Sequence, residues 1–271
     1  KWRCGARFAS GSYGCVYRAF NLQTGQIFAT KVNKMKEADA GNPALKKRIS
    51  DRLAELEEMR HENILEHLGH DFVGLNLYVY MEHVEGSLSS RLEEFGPLRP
   101  SLQVLAVCGL LEGLHYLHTR SPPMVHGAIS SSTILVNESG CLKLQCFQCS
   151  RHVGPEPECV TLDSIQWVAP EVFQGRGPAG TEADMWSAGC VVIEMATAER
   201  PWGDAPLQEI LDGLRGGVPS GPALPEELSP AAHACAAACL RLRAAERPSA
   251  GKLLAEELPA AAAAAETRGH R

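Results

Sequence analysis

Apolar positions change their spacing partway along the chain, and that change defines its organisation. In the first third, short β-branched runs alternate with turns: Tyr13–Phe20 and Gln26–Asn33 flank Gln23-Thr24-Gly25, the pattern of an antiparallel hairpin. From Pro43 to Met59 the period lengthens. Leu45, Ile49, Leu53, Leu56 and Met59 recur at three- and four-residue intervals, which places them on one face of a helix. Strands are predicted to resume over Ile64–Leu68 and Leu75–Glu82. Beyond Val84 the texture becomes that of long amphipathic helices, Ser101–His118, Ala183–Ala198, Pro206–Arg215 and Pro230–Arg241, separated by Gly/Pro-rich loops. A strand-rich small lobe over residues 1–84 followed by a helical large lobe over 85–258 is an α+β, two-lobed architecture. Residues 259–271, an alanine run with a polar finish, read as a tail beyond it.

Composition narrows the function classes. The 271 residues are 45% hydrophobic, enough for one large domain or two lobes. The net charge is −6 with no run of like charges, so no basic surface points to nucleic acid or acidic lipid. The longest apolar stretches, Val104–Leu111 and Cys190–Ala196, fall well short of the roughly 20 residues that span a bilayer. Lys1–Ser10 lacks a signal-peptide core. The expectation is a soluble, cytoplasmic chain, and its start at Lys1 reads as a segment of something longer. Ten cysteines, several in apolar surroundings, do not form the framework of a small secreted domain and fit a reducing compartment.

Two groups of residues carry candidate chemistry. Gly11-Ser12-Tyr13-Gly14-Cys15-Val16 lies on a turn between strands, where glycines let backbone N–H groups approach phosphates closely. Phe28-Ala29-Thr30-Lys31-Val32 follows on the next strand, and a lysine flanked by apolar residues either snorkels or meets an anion. The plainer reading is a hairpin turn and a strand lysine. The other group is Cys141, Cys146, Cys149, His152 and Cys159. Cys146, Cys149, His152 and either Cys141 or Cys159 could satisfy a tetrahedral zinc or a redox site. A lone Cys-x-x-Cys is more often coincidence or buried thiols, and Cys235 and Cys239 read as core cysteines.

Taken in order, these segments resemble a eukaryotic protein kinase domain from about Trp2 to Leu258. Gly11, Gly14 and Val16 match its Gly-rich loop, with Ala9 in place of the first glycine, and Lys31 matches its phosphate-pairing lysine on the strand that carries Ala29. Leu77–Val84 resembles the strand and hinge that hold adenine, with Met81 as gatekeeper and Glu82–Val84 as hinge; the resemblance also implies Leu135 as a nucleotide-binding position. Ala169-Pro170-Glu171 matches the Ala-Pro-Glu motif, and Asp184–Gly189 matches the buried helix after it. Glu246-Arg247-Pro248 implies an ion pair between Glu171 and Arg247. The stretches 86–98, 191–202 and 239–249 look most like MAP kinase kinase kinases and their Ste-group relatives.

The same resemblance exposes departures where the chemistry should be. Phosphoryl transfer by this fold uses an aspartate that takes the acceptor's proton, an asparagine and a second aspartate that hold magnesium, and a lysine paired with a helix glutamate. His126-Gly127-Ala128-Ile129 stands for His-Arg-Asp-Leu, so Ala128 replaces the catalytic aspartate. Ser130 replaces a frequent lysine, and Thr133 replaces the metal-binding asparagine. Cys146-Phe147-Gln148 corresponds to Asp-Phe-Gly, and a thiol is a poor partner for hard magnesium. No register shift restores either aspartate, because none occurs between Asp71 and Asp163. The lysine's glutamate partner falls on Arg52, which would repel Lys31; Glu55, about one turn later, or Asp51 could substitute.

The resemblance therefore implies a pseudokinase that acts as a scaffold or allosteric partner of another protein, an active kinase or its substrate. Two readings of the retained features stand side by side: weak ATP binding without magnesium, or residues kept only because the fold needs them. The enzyme alternative is a serine/threonine kinase using Lys31 and a recruited carboxylate such as Glu138 or Asp163. Thr161 and Ser164 are the candidate phosphorylation sites. With Gly127 in the arginine's place, a phosphate there would lack its main clamp.

Overall fold

A computed structural model describes residues 1–11, 14–146, 151–152, 162–176, 180–216 and 221–258, with backbone alone at 8–11, 151–152 and 162–163. The chain divides into two compact units, Lys1–Glu85 and Gly86–Arg271.

The first unit is an antiparallel sheet with two helices. Its strands β1 (Trp2–Gly11), β2 (Gly14–Asn21), β3 (Ile27–Lys34), β4 (His67–Val73) and β5 (Asn76–Glu82) lie in the order β1-β2-β3-β5-β4. The β2–β3 turn closes because Asn21 Oδ1 accepts from the backbone N–H groups of Gln23 and Thr24. A short helix α1 (Glu37–Ala40) precedes α2 (Pro43–Glu57), which begins where Asn42 Oδ1 accepts from Leu45 N and Pro43 sets the first helical φ. Leu53 and Leu56 on α2 are buried, as the spacing predicts. The predicted strand over Ile64–Leu68 is displaced: Ile64 and Leu65 are buried in a loop, and pairing with β5 starts at His67. An apolar pair signals burial there, not strand.

One face of this sheet carries Trp2, Phe28, Tyr78 and Tyr80. Their rings pack at 5.6–6.1 Å between centroids, mostly edge to face. On the other face, cross-strand register aligns Val16, Lys31, Val79 and His70 in one row, and Ala29 with Met81 in the next. Helix α2 lies across that face: His70 Nε2 is 2.9 Å from Ser50 Oγ and Nδ1 is 2.7 Å from Glu57 Oε1.

The second unit is helical. It runs through β6 (Gly86–Ser87), α3 (Leu88–Phe95), α4 (Pro100–His118), β7 (Met124–Val125), β8 (Ile134–Val136), β9 (Leu142–Leu144) and β10 (Arg151–His152). A 3-10 turn (Leu162–Trp167) leads to α5 (Pro170–Phe173), α6 (Thr181–Thr197), α7 (Leu207–Leu214) and α8 (Pro230–Cys239). A second 3-10 turn (Ala244–Glu246) leads to α9 (Ala250–Glu256). Helices α4 and α6 form the core, and α6 is apolar nearly all round because it is buried nearly all round. Several predicted helix ends overshoot by one or two residues, α2 and α7 among them. Ala198 sits at φ 58, a left-handed cap that stops α6 at Thr197, and α8 stops at Cys239. Among the described residues no helix is long and apolar enough to cross a membrane.

Candidate functional site

In the first unit, sheet register brings Val16, Ala29, Lys31 and Met81 onto one face. Lys31 is 7% exposed, and Ala29, Met81 and Val84 are buried. Ala9 pairs with Val16 and Gly11 with Gly14 where β1 turns into β2. Gly14 has a local reason to be glycine: φ is +122°, and a Cβ there would lie 2.5 Å from Val32 O. Glu82 is tied into the sheet by its own side chain, since Oε1 accepts from Glu66 N at 2.8 Å while Glu82 N donates to Glu66 O at 3.0 Å. Arg52 does not stand alone on α2, because Nη1 pairs with Glu55 Oε2 at 2.5 Å.

The second unit holds the segment that aligns with the catalytic loop. Ala128 offers only a methyl group. Thr133 Oγ1 donates to Ala128 O at 2.6 Å and accepts from Ser130 N at 3.0 Å, so the hydroxyl staples the loop to itself. Ser130 Oγ joins the cluster, 2.9 Å from Ser132 Oγ and 3.3 Å from Thr133 Oγ1. Pairing of β8 with β9 runs Ile134 opposite Leu144, and Gln145 N donates to Thr133 O, which brings the next residue, Cys146, beside this loop. Cys146 is fully buried, with Sγ 3.9 Å from Leu144 O. Leu135 lies on β8, paired with Ser87 and Lys143. Glu138 is exposed, in the turn between β8 and β9.

Around this loop the scaffold is densely hydrogen-bonded. Asp184 on α6 is buried; Oδ2 accepts from His126 N at 2.7 Å and lies 2.9 Å from His118 Nε2, and Oδ1 accepts from Gly127 N at 2.8 Å. Burial pushes the Asp184 carboxyl up, but these donors outweigh it and hold it below the usual carboxylate range. Burial also drives the His126 imidazole down. Gly127 sits at φ 74, a conformation strained for any residue with a Cβ. Arg247 meets Glu171 in a bidentate pair at 2.7 and 2.8 Å. Its other donors reach the carbonyls of Arg241, Leu242 and Glu182, and its guanidinium lies over the Trp186 ring.

One functional cluster has no counterpart in the sequence reading. Glu194 on α6 is buried and accepts from Ser131 Oγ and from Trp167 Nε1, each at 2.7 Å. Burial raises its pKa to about 7 despite these bonds. It clasps the loop at residue 131 and the 3-10 turn at residue 167, contacts across 63 and 27 positions that no local pattern reveals.

Of the cysteine cluster, Cys149 and Cys159 lie outside the described residues, as do the side chain of His152, Thr161 and the tail 259–271. The side chain of Asp163 is likewise undescribed. Among the described residues no group of three His, Cys, Asp or Glu is placed to hold a metal ion, and the described cysteines form no disulfide with one another.

A five-stranded antiparallel sheet with its helix α2, followed by a helical unit built on α4 and α6, is the two-lobed protein-kinase fold. The chain belongs to the protein kinase domain family, which matches residues 4–258. It is 33% identical over 261 residues to mitogen-activated protein kinase kinase kinase A of Dictyostelium discoideum. It is 34% identical over 265 residues to mitogen-activated protein kinase kinase kinase ANP1 and 30% over 256 residues to YODA, both of Arabidopsis thaliana. These matches cover 94%, 93% and 94% of this chain and 27%, 39% and 29% of those relatives. The chain thus spans about a quarter to two-fifths of their length.

Proposed function

We propose that this domain is a catalytically silent kinase fold that works through a protein partner, an active kinase or its substrate, in cytoplasmic signalling. The observation that carries the reading is the loop His126–Thr133: Ala128 has no atom that can take a proton, and the Thr133 hydroxyl is spent on the loop itself. Magnesium needs hard oxygen donors in an octahedral shell. The buried Cys146 thiol is a soft donor, and the Thr133 hydroxyl, already donating to Ala128 O and accepting from Ser130 N, brings no charge, so the two positions supply no carboxylate for the ion. What the chain keeps is a protein surface on a sound scaffold. Losing parts of a catalytic unit costs orders of magnitude in rate, and here base and metal ligands go together.

The test is transfer of radiolabelled γ-phosphate from ATP, with magnesium or manganese, to the chain itself and to a generic basic protein. Background counts are expected in both. Transfer that disappears in Lys31→Ala would overturn the reading in favour of an unusual enzyme.

A further inference from the structure

We propose that the β2–β3 hairpin of the first unit is a docking surface for an acidic, apolar segment of a partner protein. The inference rests on the reading above that the domain works through a protein partner, and it gives the place and the chemistry of that contact.

The hairpin leaves apolar side chains in water where nothing in its own folding requires them. Phe20 and Ile27 are direct cross-strand partners, and Leu22 begins the turn that joins their strands. These side chains are 44%, 49% and 51% exposed respectively. Single exposed apolar residues are ordinary on a protein surface, whereas three at one hairpin end make a patch. The Phe20–Ile27 pair contributes to strand pairing, but a threonine pair would serve the strands as well and leave less apolar area in water.

The charges beside the patch are of one sign. Arg3 stands opposite Phe20 in the register of β1 and β2, and Arg18, two residues before Phe20 on β2, shares that face. Both arginines are exposed. Arg18 Nε donates to His83 Nε2 at 3.3 Å, and neither guanidinium is paired with a carboxylate among the described residues. Residues 1–36 include seven Lys and Arg and no Asp or Glu, in a chain whose net charge is −6, so the strands and turn bring no acid of their own to the patch. On β5, Glu82 lies opposite Phe28 and its carboxylate accepts from Glu66 N.

Charge complementarity therefore selects a segment that carries carboxylates beside its apolar side chains. Arginine and aromatic residues are also the types that carry most of the energy at protein interfaces. A nucleic acid or an anionic membrane has no use for the apolar pair and meets the negative charge of the whole chain as well.

The probe is a fluorescein-labelled peptide that alternates glutamate with leucine and phenylalanine. A lysine-for-glutamate copy and a serine-for-apolar copy are the controls, each titrated into the 271-residue chain and followed by anisotropy. The acidic apolar peptide should bind about fivefold or more tightly than either control, and less tightly as salt is raised. Phe20→Thr with Ile27→Thr should weaken it about fivefold or more while the melting temperature holds, because threonine keeps the strand pair. Arg3→Glu with Arg18→Glu should reverse the preference, so that the lysine peptide binds better than the glutamate peptide. A merely structural role for these arginines would give no such reversal.

Equal binding of the three peptides, no binding of any, or binding unchanged by either double variant would each overturn the assignment. So would binding to anionic lipid vesicles in preference to the peptide, or a concentration-dependent dimer that Phe20→Thr abolishes, since a second copy would then be the occupant. Any of these beside background phosphotransfer removes the docking surface alone; phosphotransfer dependent on Lys31 removes the silent-kinase reading and leaves the peptide comparison standing.

Discussion

Two adjoining parts of the second unit use their polar side chains in different ways. The anchors, Asp184 with its backbone donors and Arg247 with Glu171, use every polar atom they bury. In the loop they hold, Ala128 and Thr133 stand where the family resemblance places an aspartate and an asparagine. Asp184 grips the N–H groups of His126 and Gly127, immediately before Ala128, so the backbone stays positioned where the carboxylate is gone. Thr133 and Ser130 satisfy one another instead of reaching outward. Loop geometry and loop chemistry are therefore separable. The first is carried by Asp184, Arg247 and Glu171, the second by the identities of residues 128, 133 and 146.

The largest effect that would sharpen this contrast lies at the ion pair. Arg247→Ala leaves the Glu171 carboxylate and several carbonyls without their donor, and should cost about 3–5 kcal/mol in urea denaturation. A loss below about 1 kcal/mol would show that the anchor is not what holds the second unit together.

Next comes Glu194, whose folded value of about 7 lies above its ordinary 4.5. The folded chain binds this proton more readily than the unfolded chain, so the stabilisation is fully present below about 4.5. It is lost as pH rises through about 7, by up to roughly 3 kcal/mol. Denaturation midpoints between pH 5 and 8 should fall along that slope, and Glu194→Gln should flatten it; identical slopes in the two proteins would contradict the buried clasp.

The smallest expected effect is at the loop. Ala128→Asp should change stability by no more than about 0.5 kcal/mol and restore no phosphotransfer, since Thr133 and Cys146 remain. Recovery of activity by this single change would mean that the metal ligands are still in place.

Much of the scaffold is readable from residue order. The α2 periodicity, the β2–β3 hairpin and the Glu171–Arg247 pair all follow from spacing or from family resemblance. Ala128, Thr133 and Cys146 are equally visible, because the resemblance marks their positions in residue order alone. What the chain order hides is what the new side chains do. That Thr133 turns inward, that Arg52 pairs with Glu55 yet keeps Nη2 unbonded, and that Glu194 joins Ser131 to Trp167 depend on tertiary proximity. The start of β4 is misread for a related reason: Ile64 and Leu65 are apolar because a loop buries them.

Manganese, a paramagnetic substitute for magnesium, tests the central claim most directly. Titrated into the chain with saturating ATP and followed by water-proton relaxation, it should give the signal of the manganese–ATP complex alone, with no protein-dependent enhancement. A protein-dependent enhancement that Thr133→Ala or Cys146→Ala abolishes would contradict the account.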